Sequence, residues 1–298
     1  MHKIPEKDKI LKLNDQIRLL KTANNKLTSE LKLVNQKLKD SEALKDHFVS
    51  NIRNEILNPF SSISGLSKNI ILSNKEDWKR ILTMVAMIHS EAFSLDFQLR
   101  NIFVAAKIES GEINPEITQV DIAQVIQGVM DQFSMEARRK SVRIIHKNRL
   151  IPNRGKKIYF CTDAEKLKMI LANLLSNAVK FSNDSGDVEV ISETCDGGMK
   201  FTVLDYGRGI SEANQKIIFD RFKRVDSGIS SINRGHGLGL SIIKSLLDIL
   251  AGNILIDSQL NQGALFAITI PGVDLDTAKA AVGDRAFLFD EMDQGELF

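Results

Sequence analysis

The chain has 298 residues, enough for one or two folded domains and a helical extension. Its 43% hydrophobic and 26% charged content is ordinary for a globular protein, and a net charge of only +2 gives no indication of nucleic acid as a partner. The two cysteines, Cys161 and Cys195, are too few for a disulfide framework and favour a reducing compartment. No apolar run approaches the roughly 18–20 residues of a membrane span, so we expect a cytoplasmic chain without one.

The charge is unevenly distributed along the chain. Residues 1–45 carry eleven Lys or Arg against six Asp or Glu, whereas residues 272–298 carry two against seven. Both segments are most simply solvated surfaces. A second hypothesis is that residues 272–298 form an acidic C-terminal tail that docks on a basic surface.

An unbroken heptad pattern begins at Ile10 and predicts that residues 1–45 form a coiled coil. The two core positions of the heptad are occupied by Ile10, Ile17, Asn24, Leu31, Leu38, Lys45 and Ile52, and by Leu13, Leu20, Leu27, Val34, Ser41 and Phe48. Asn24 favours a parallel homodimer in a fixed register, because two amides at a core position can pair only with each other. The alternative is a single amphipathic helix that packs on its own domain.

Residues 46–112 predict two long helices joined by a short connection. Pro59 lies inside the first helical pattern, where it removes a backbone hydrogen bond and favours a kink. The second helix is predicted from about Lys75 to Glu109, and Gly111 is well placed to end it. Two such hairpins form a four-helix bundle across a dimer.

Residues 113–271 alternate between short strands and helices, which predicts an α/β sandwich with one mixed sheet covered by helices. The predicted helices span 121–140, 165–182, 210–222 and 238–252, the strands 142–148 and 156–162, and the hairpins 188–207 and 253–271. The fold class is therefore α+β and multidomain: a coiled coil, a helical hairpin that forms a dimeric bundle, and an α/β sandwich.

The sequence NLLSNAVKFS places Asn173 and Asn177 one helical turn apart, on the same face, with Lys180 nearby. An asparagine oxygen is a hard ligand that suits Mg²⁺, which keeps several waters and phosphates around it. Lys180 supplies a positive charge for phosphate. This pattern predicts a magnesium and phosphate site.

The sequence DYGRGI places Asp205 before Gly207 and Gly209. Here a carboxylate acceptor lies beside a backbone that a ligand can approach closely, because glycine has no side chain. Each such motif is weak by itself.

The sequence RGHGLGLSI comes immediately before a predicted helix, whose first amides form a natural phosphate site. Its motif residues are Gly235, Gly237, Leu238 and Gly239. In this order and spacing, the three motifs together predict an ATP site.

The three motifs, with IFDRFKRVD between the two glycine segments, resemble the ATPase domain shared by histidine kinases, gyrase B, Hsp90 and MutL. The sequences KFS, FDRFKRVD and GLGLSI resemble the histidine-kinase branch, and the resemblance covers residues 46–271. It implies an ATP-binding domain at 113–271, a dimerisation and phosphoacceptor-like hairpin at 46–112, and a coiled-coil signalling helix at 1–45.

The resemblance also implies roles for individual residues. Asn177 is expected to hold Mg²⁺, with Asn173 in support, and Asp205 to receive the adenine amine. Lys180 and Arg224 are expected to reach the phosphates. Residues 223–237, which are small, polar and contain glycine, are expected to form a mobile lid.

The sequence FVSNIRNEILNPF, residues 48–60, resembles the phosphoacceptor helix of sensor histidine kinases, which reads roughly F-x-x-x-x-S-H-E-x-R-T-P-L. Asn54 stands at the position of the phosphorylated histidine. An amide nitrogen is not a nucleophile because its lone pair is delocalised, whereas the imidazole lone pair is free. We therefore expect a histidine-kinase relative that binds Mg-ATP and does not phosphorylate itself at this position.

Two further residues of this segment are Glu55 and Asn58. They resemble the acid and the Thr or Asn that such proteins use to dephosphorylate a receiver domain. The alternative is that both are ordinary helix-surface residues. The expected partners are a second copy of the chain, a response-regulator receiver domain, or another histidine kinase. Two further readings stay open: an active kinase that phosphorylates a partner in trans or another residue such as His47, and a different ATPase of the same superfamily.

Overall fold

The computed structural model describes residues 6–74, 76–150, 158–219 and 237–273. Within the first helix, side chains are described at 16–36, 39, 53 and 56–72. The chain divides into two compact units, Met1–Asn54 and Glu55–Phe298. Arg224, Gly235 and most of the predicted acidic tail lie outside the described residues.

Two long helices come first. Helix α1 spans Glu6–Leu72 and contains Pro59, and helix α2 spans Trp78–Glu109. The helix stop predicted at Gly111 is confirmed: Gly111 has φ +71°, and its N–H donates to the Ile108 carbonyl at 3.3 Å. Among the described residues, no helix has the length and hydropathy of a membrane-spanning segment.

The remaining elements form an α+β domain. They are β1 (Thr118–Asp121), α3 (Ile122–Arg139), β2 (Arg143–Asn148), β3 (Tyr159–Thr162), α4 (Ala164–Phe181), β4 (Asp187–Cys195), β5 (Gly198–Asp205), α5 (Glu212–Gln215), α6 (Gly239–Ile249), β6 (Asn253–Gln259) and β7 (Gly263–Pro271). The main sheet has the order β2-β4-β5-β7-β6, with β2 parallel to β4 and the other neighbours antiparallel. The predicted mixed sheet is therefore confirmed.

Helices α3, α4 and α6 pack together and against this sheet. Ile122, Ile126, Val129 and Phe133 recur along α3 at helical spacing and are all buried. The strands present alternate residues to the same core, as Val188 and Val190 do on β4. The core therefore lies between one face of the sheet and the three helices.

Two details differ from the sequence-based expectation. The strand predicted at 156–162 does not join the main sheet, because β3 pairs with β1 in a separate two-stranded antiparallel sheet. Strand β1 was not predicted, because a segment of four residues, TQVD, is too short to show a repeating apolar pattern. In the described part of the helix predicted at 210–222, only a single turn forms: α5 ends at Gln215, where the N–H groups of Ile217 and Ile218 share the Asn214 carbonyl.

Candidate functional site

Helix α4 carries the first predicted motif, and its N-terminus is fixed by Asp163. One carboxylate oxygen of Asp163 accepts from the Lys166 backbone N–H at 2.9 Å and caps the helix. The other accepts from Lys166 Nζ at 2.6 Å and from the Glu116 N–H at 2.7 Å. Both members of this ion pair are buried, so a charge-assisted contact shielded from solvent anchors the start of α4.

The C-terminus of α4 is fixed by Lys140, which follows α3. Its ammonium donates to the carbonyls of Val179, Lys180 and Ser182 at 3.1, 2.9 and 2.8 Å. A helix leaves its last carbonyls without partners and carries partial negative charge there, so a cation is well matched to this end. Lys140 thus holds the KFS segment in place.

Asn173 lies inside the domain with 3% of its surface exposed. Its Nδ2 donates to the Asn101 Oδ1 at 2.8 Å and to the Met169 carbonyl at 3.0 Å. One turn further along α4, Asn177 is half-buried. Lys180 is also half-buried, and its Nζ lies 5.2 Å from the centroid of the Phe181 ring.

Asp205, at the end of β5, is the buried carboxylate of the second motif. It is 4% exposed, and its Oδ1 accepts from the Gly207 N–H at 2.9 Å. Burial raises the pKa of Asp205 above its usual value of 3.8, against the opposing effects of the Gly207 and Ala264 amides and the charge of Lys140. The site thus contains an acceptor that is shielded from solvent.

The glycines of this motif lie against other backbone. A β-carbon on Gly207 would overlap the Phe181 carbonyl oxygen, and one on Gly209, where φ is +64°, would overlap the Gln259 carbonyl oxygen. Arg208 lies between them, with its guanidinium carbon 4.3 Å from the Phe181 ring centroid. These contacts bring Asp205 next to the C-terminal end of α4.

The third motif joins the same region through α6. Gly239 begins this helix, and a β-carbon there would lie 2.8 Å from Asn173 Oδ1. Gly237 has φ +67°, and Leu238 occupies the N-cap without a side-chain capping bond. The N-terminus of α6, where a helix leaves its first amides without intrahelical partners, therefore lies beside Asn173.

The structure thus brings all three motifs to the C-terminal half of α4. The phosphoacceptor-like segment is less completely described. Position 54 lies in α1, but the side chains of Asn54, Glu55 and His47 are outside the described residues. Asn58 is exposed.

Residues 162–274 match the family model of histidine kinase-, DNA gyrase B- and HSP90-like ATPases. This region is an ATPase domain of that family. Relatives that align with 82% and 87% of this chain are histidine kinases, so the predicted resemblance to sensor histidine kinases is confirmed.

Three relatives illustrate the likeness of the chain around this ATPase domain. Hybrid signal transduction histidine kinase D of Dictyostelium discoideum is 28% identical over 248 residues, which are 82% of this chain and 16% of that protein. The crystal structure of full-length ShkA in complex with AMPPNP is 26% identical, with a TM-score of 0.52 over 65% of this chain and 39% of that one. Histidine kinase ThkA in complex with response regulator protein TrrA is 20% identical, with a TM-score of 0.50 over 79% and 64%, and shares the fold.

The chain spans only a part of the curated relatives that it matches, between 16% and 58% of their length in the first eight. The likeness therefore concerns a part of those proteins rather than their whole length.

The sequence did not single out four residues that shape this site: Asn101, Lys140, Phe181 and Arg208. Phe181 was part of the KFS motif, whereas Asn101 lies next to Arg100 in α2 and gave no signal of its own. Lys140 gave none, because a lysine after a helix is ordinarily solvated.

Proposed function

We propose that this chain is a dimeric signal-transduction protein that binds Mg-ATP and regulates a two-component phosphorelay without accepting phosphate at position 54. The observation that carries the proposal is the meeting of three nucleotide motifs around α4, in a histidine-kinase relative that has Asn54 at the phosphoacceptor position. Each part of the proposal has separate support.

Binding of ATP is supported by the geometry of the ATPase domain. The buried Asp205 carboxylate is available to accept the adenine amine, while the close packing of Gly207 on Phe181 and of Gly209 on Gln259 holds this segment beside the end of α4. The α6 amides and Lys180 supply partial and full positive charge for the phosphates. The similarity to ShkA, whose crystal structure contains AMPPNP, favours the same ligand class.

The amide oxygens around α4 fit a magnesium ion. Asn173 turns its Oδ1 towards Gly239 at the start of α6, and Asn177 is the next residue on that helix face. Two neutral oxygen donors beside a phosphate site suit Mg²⁺, which retains waters and phosphate oxygens as its other ligands. We propose Asn177 as the ligand and Asn173 as its support; the ion would neutralise charge on the phosphates. Arg224, Gly235 and a lid at 223–237 complete this site by the family resemblance.

The loss of phosphate acceptance follows from the chemistry of Asn54. Phosphoryl transfer needs a nucleophile in line with the γ-phosphorus, and a carboxamide nitrogen has no available lone pair. The ATPase domain could be fully competent and still have no acceptor at this position.

Dimerisation is supported by apolar side chains that one chain leaves exposed. In the first unit, the heptad core residues Leu20, Leu27, Leu31 and Val34 are between 61% and 69% exposed. In the second unit, Leu57, Phe60, Trp78 and Phe103 are between 54% and 65% exposed. Apolar surface of this extent marks an interaction face, and the heptad with Asn24 favours a second parallel copy.

A receiver domain is the proposed substrate or docking partner. Glu55 and Asn58 supply an acid and an amide of the kinds that could orient water against an acyl phosphate, and Asn58 is exposed. The ThkA crystal structure contains a response regulator, which favours this class of partner. Another histidine kinase is the second candidate, and a cytoplasmic location is part of the proposal.

The test is incubation of the purified chain with γ-labelled ATP and Mg²⁺, alongside an ATP-binding titration. Three proteins are compared: the wild type, Asn54→His, and Asn54→Gln as the matched control that remains non-nucleophilic. We expect all three to bind ATP and only Asn54→His to become labelled. Labelling of the wild type would overturn the proposal and would point to another acceptor, of which His47 is the first to replace. Absence of ATP binding would overturn the nucleotide part.

A further inference from the structure

Helix α2 of the hairpin packs directly on helix α3, which precedes the ATPase domain of residues 162–274. The Phe93 and Phe97 rings each meet the Phe133 ring of α3 edge-on, with centroids 5.5 Å apart, and Phe133 is fully buried. At one end of this contact Arg139 donates to Ser90 Oγ at 3.1 Å. The part of α2 that follows Phe97 is therefore held close to α4.

Asn101 continues this contact into the nucleotide site. It is 5% exposed, and its Oδ1 accepts a 2.8 Å hydrogen bond from Asn173 Nδ2. The second N–H of the same Asn173 amide donates to the Met169 carbonyl at 3.0 Å. A backbone carbonyl can only accept, so the Met169 contact requires the amino group of Asn173 on this side.

The orientation of the Asn173 amide follows from these two bonds. Both of its N–H groups are occupied on the side of Asn101 and Met169, so its oxygen must face the other way. That oxygen is the atom nearest to the position of a β-carbon on Gly239, 2.8 Å away, where α6 begins. Asn101 thus helps to decide which end of the Asn173 amide faces the phosphate region.

We infer that Asn101 is a positioning residue for the nucleotide site. It lies on α2, outside the ATPase domain of residues 162–274, and orients the amide of Asn173 inside that domain. It keeps the Asn173 oxygen, rather than its amino group, directed at the place proposed for magnesium and the phosphates. The inference rests on the proposed Mg-ATP binding and adds that the site is incomplete without the hairpin. Its consequence is that a shift of α2 changes the affinity of the ATPase domain for Mg-ATP.

Burial of Asn101 is also expected if the residue only helps α2 to pack. The test therefore needs variants that separate orientation of the Asn173 amide from packing. Asn101→Asp keeps an acceptor oxygen for Asn173. Asn101→Leu has similar volume and removes the acceptor, so that the Met169 carbonyl alone holds the Asn173 amide and its orientation is less firmly fixed. Ser90→Ala is the control, because it removes another polar contact of α2 without touching Asn173.

The experiment is a titration of the full chain and these variants with ATP, once with Mg²⁺ and once with EDTA, together with thermal unfolding. We expect Asn101→Leu to weaken Mg-ATP binding by ~10-fold, the size of one lost buried hydrogen bond, and to change metal-free binding much less. Asn101→Asp and Ser90→Ala should retain the wild-type preference for magnesium. If Asn101→Leu does not fold, Asn101→Ala, which removes the same oxygen, is measured by the same criteria.

The outcomes separate the inference from the function on which it rests. A wild type that binds ATP equally with and without Mg²⁺ would overturn the proposed Mg-ATP site and this inference with it. If the wild type needs Mg²⁺ and the leucine variant binds equally well, only the inference fails. It fails likewise if affinity falls equally with and without the metal while the melting temperature drops, because that is the result of a structural role.

Discussion

Gly207 lies directly against the carbonyl oxygen of Phe181, so closely that a β-carbon at Gly207 would overlap that oxygen. The next residue, Arg208, donates its backbone N–H to the same oxygen at 3.4 Å. The end of β5 and the end of α4 are therefore in backbone contact. This contact keeps the buried Asp205 beside the KFS segment.

Substitution Gly207→Ala should destabilise the fold by at least ~2 kcal/mol and weaken ATP binding, because the added methyl group must displace backbone. Urea unfolding and an ATP titration measure the two effects. Gly128→Ala is the matched control: no atom lies within 4 Å of its β-carbon position, and it lies within helix α3. It should stabilise the chain by about 0.5–1 kcal/mol, and equal effects of the two changes would contradict the contact.

Removal of the Lys140 ammonium should loosen the end of α4. Lys140→Met leaves the carbonyls of Val179, Lys180 and Ser182 without their charged donor, and we expect a loss of about 2–3 kcal/mol in unfolding free energy. Lys244→Met serves as the control, because Lys244 makes an exposed ion pair with Asp248 at 3.2 Å. That pair should be worth less than ~0.5 kcal/mol. A loss for Lys140→Met no larger than the control would refute its role at this helix end.

The buried pair of Asp163 and Lys166 should show strong coupling. Asp163→Asn leaves the Lys166 ammonium buried without its counter-charge and should cost about 3–5 kcal/mol in denaturant unfolding. The double variant Asp163→Asn/Lys166→Met should be more stable than Asp163→Asn alone, because no uncompensated charge remains. Additive losses in the double-mutant cycle would show that the pair is not coupled.

The ionised Asp205 carboxylate should lower the free energy of unfolding at neutral pH while it contributes to ATP binding. Burial raises its folded-state pKa above the usual 3.8, so the folded protein holds this proton more tightly than the unfolded chain. The stability that this provides is present below pH 3.8 and is lost as the pH rises through the raised pKa. Asp205→Asn should therefore gain unfolding free energy relative to the wild type as the pH rises from acid to neutral, while its ATP affinity falls.

Urea unfolding of both proteins across that pH range, with an ATP titration at neutral pH, checks this prediction. A stability difference that stays constant with pH would show that Asp205 has the same pKa in both states. Unchanged ATP affinity would argue against its proposed contact with adenine.

The features that could be predicted from the sequence are those that depend on neighbouring residues. The sequence by itself determined the helical periodicity of α3 and α4, the stop at Gly111 and the three nucleotide motifs, because each depends on residues within one or two turns of one another. The missing nucleophile at Asn54 is likewise a property of one side chain. The apolar pattern also predicted the bounds of α3 and α4 to within one residue.

Only the tertiary structure decided the contacts between distant segments. Asn101 and Asn173 are 72 positions apart, and Lys140 reaches carbonyls 39 to 42 positions away. The pairing of β1 with β3 is also of this kind, since TQVD has no pattern of its own. Such contacts depend on how packed helices and strands place side chains in space, which no local spacing encodes. The local sequence therefore predicts the class of ligand, and the tertiary contacts determine which distant residues position the nucleotide motifs.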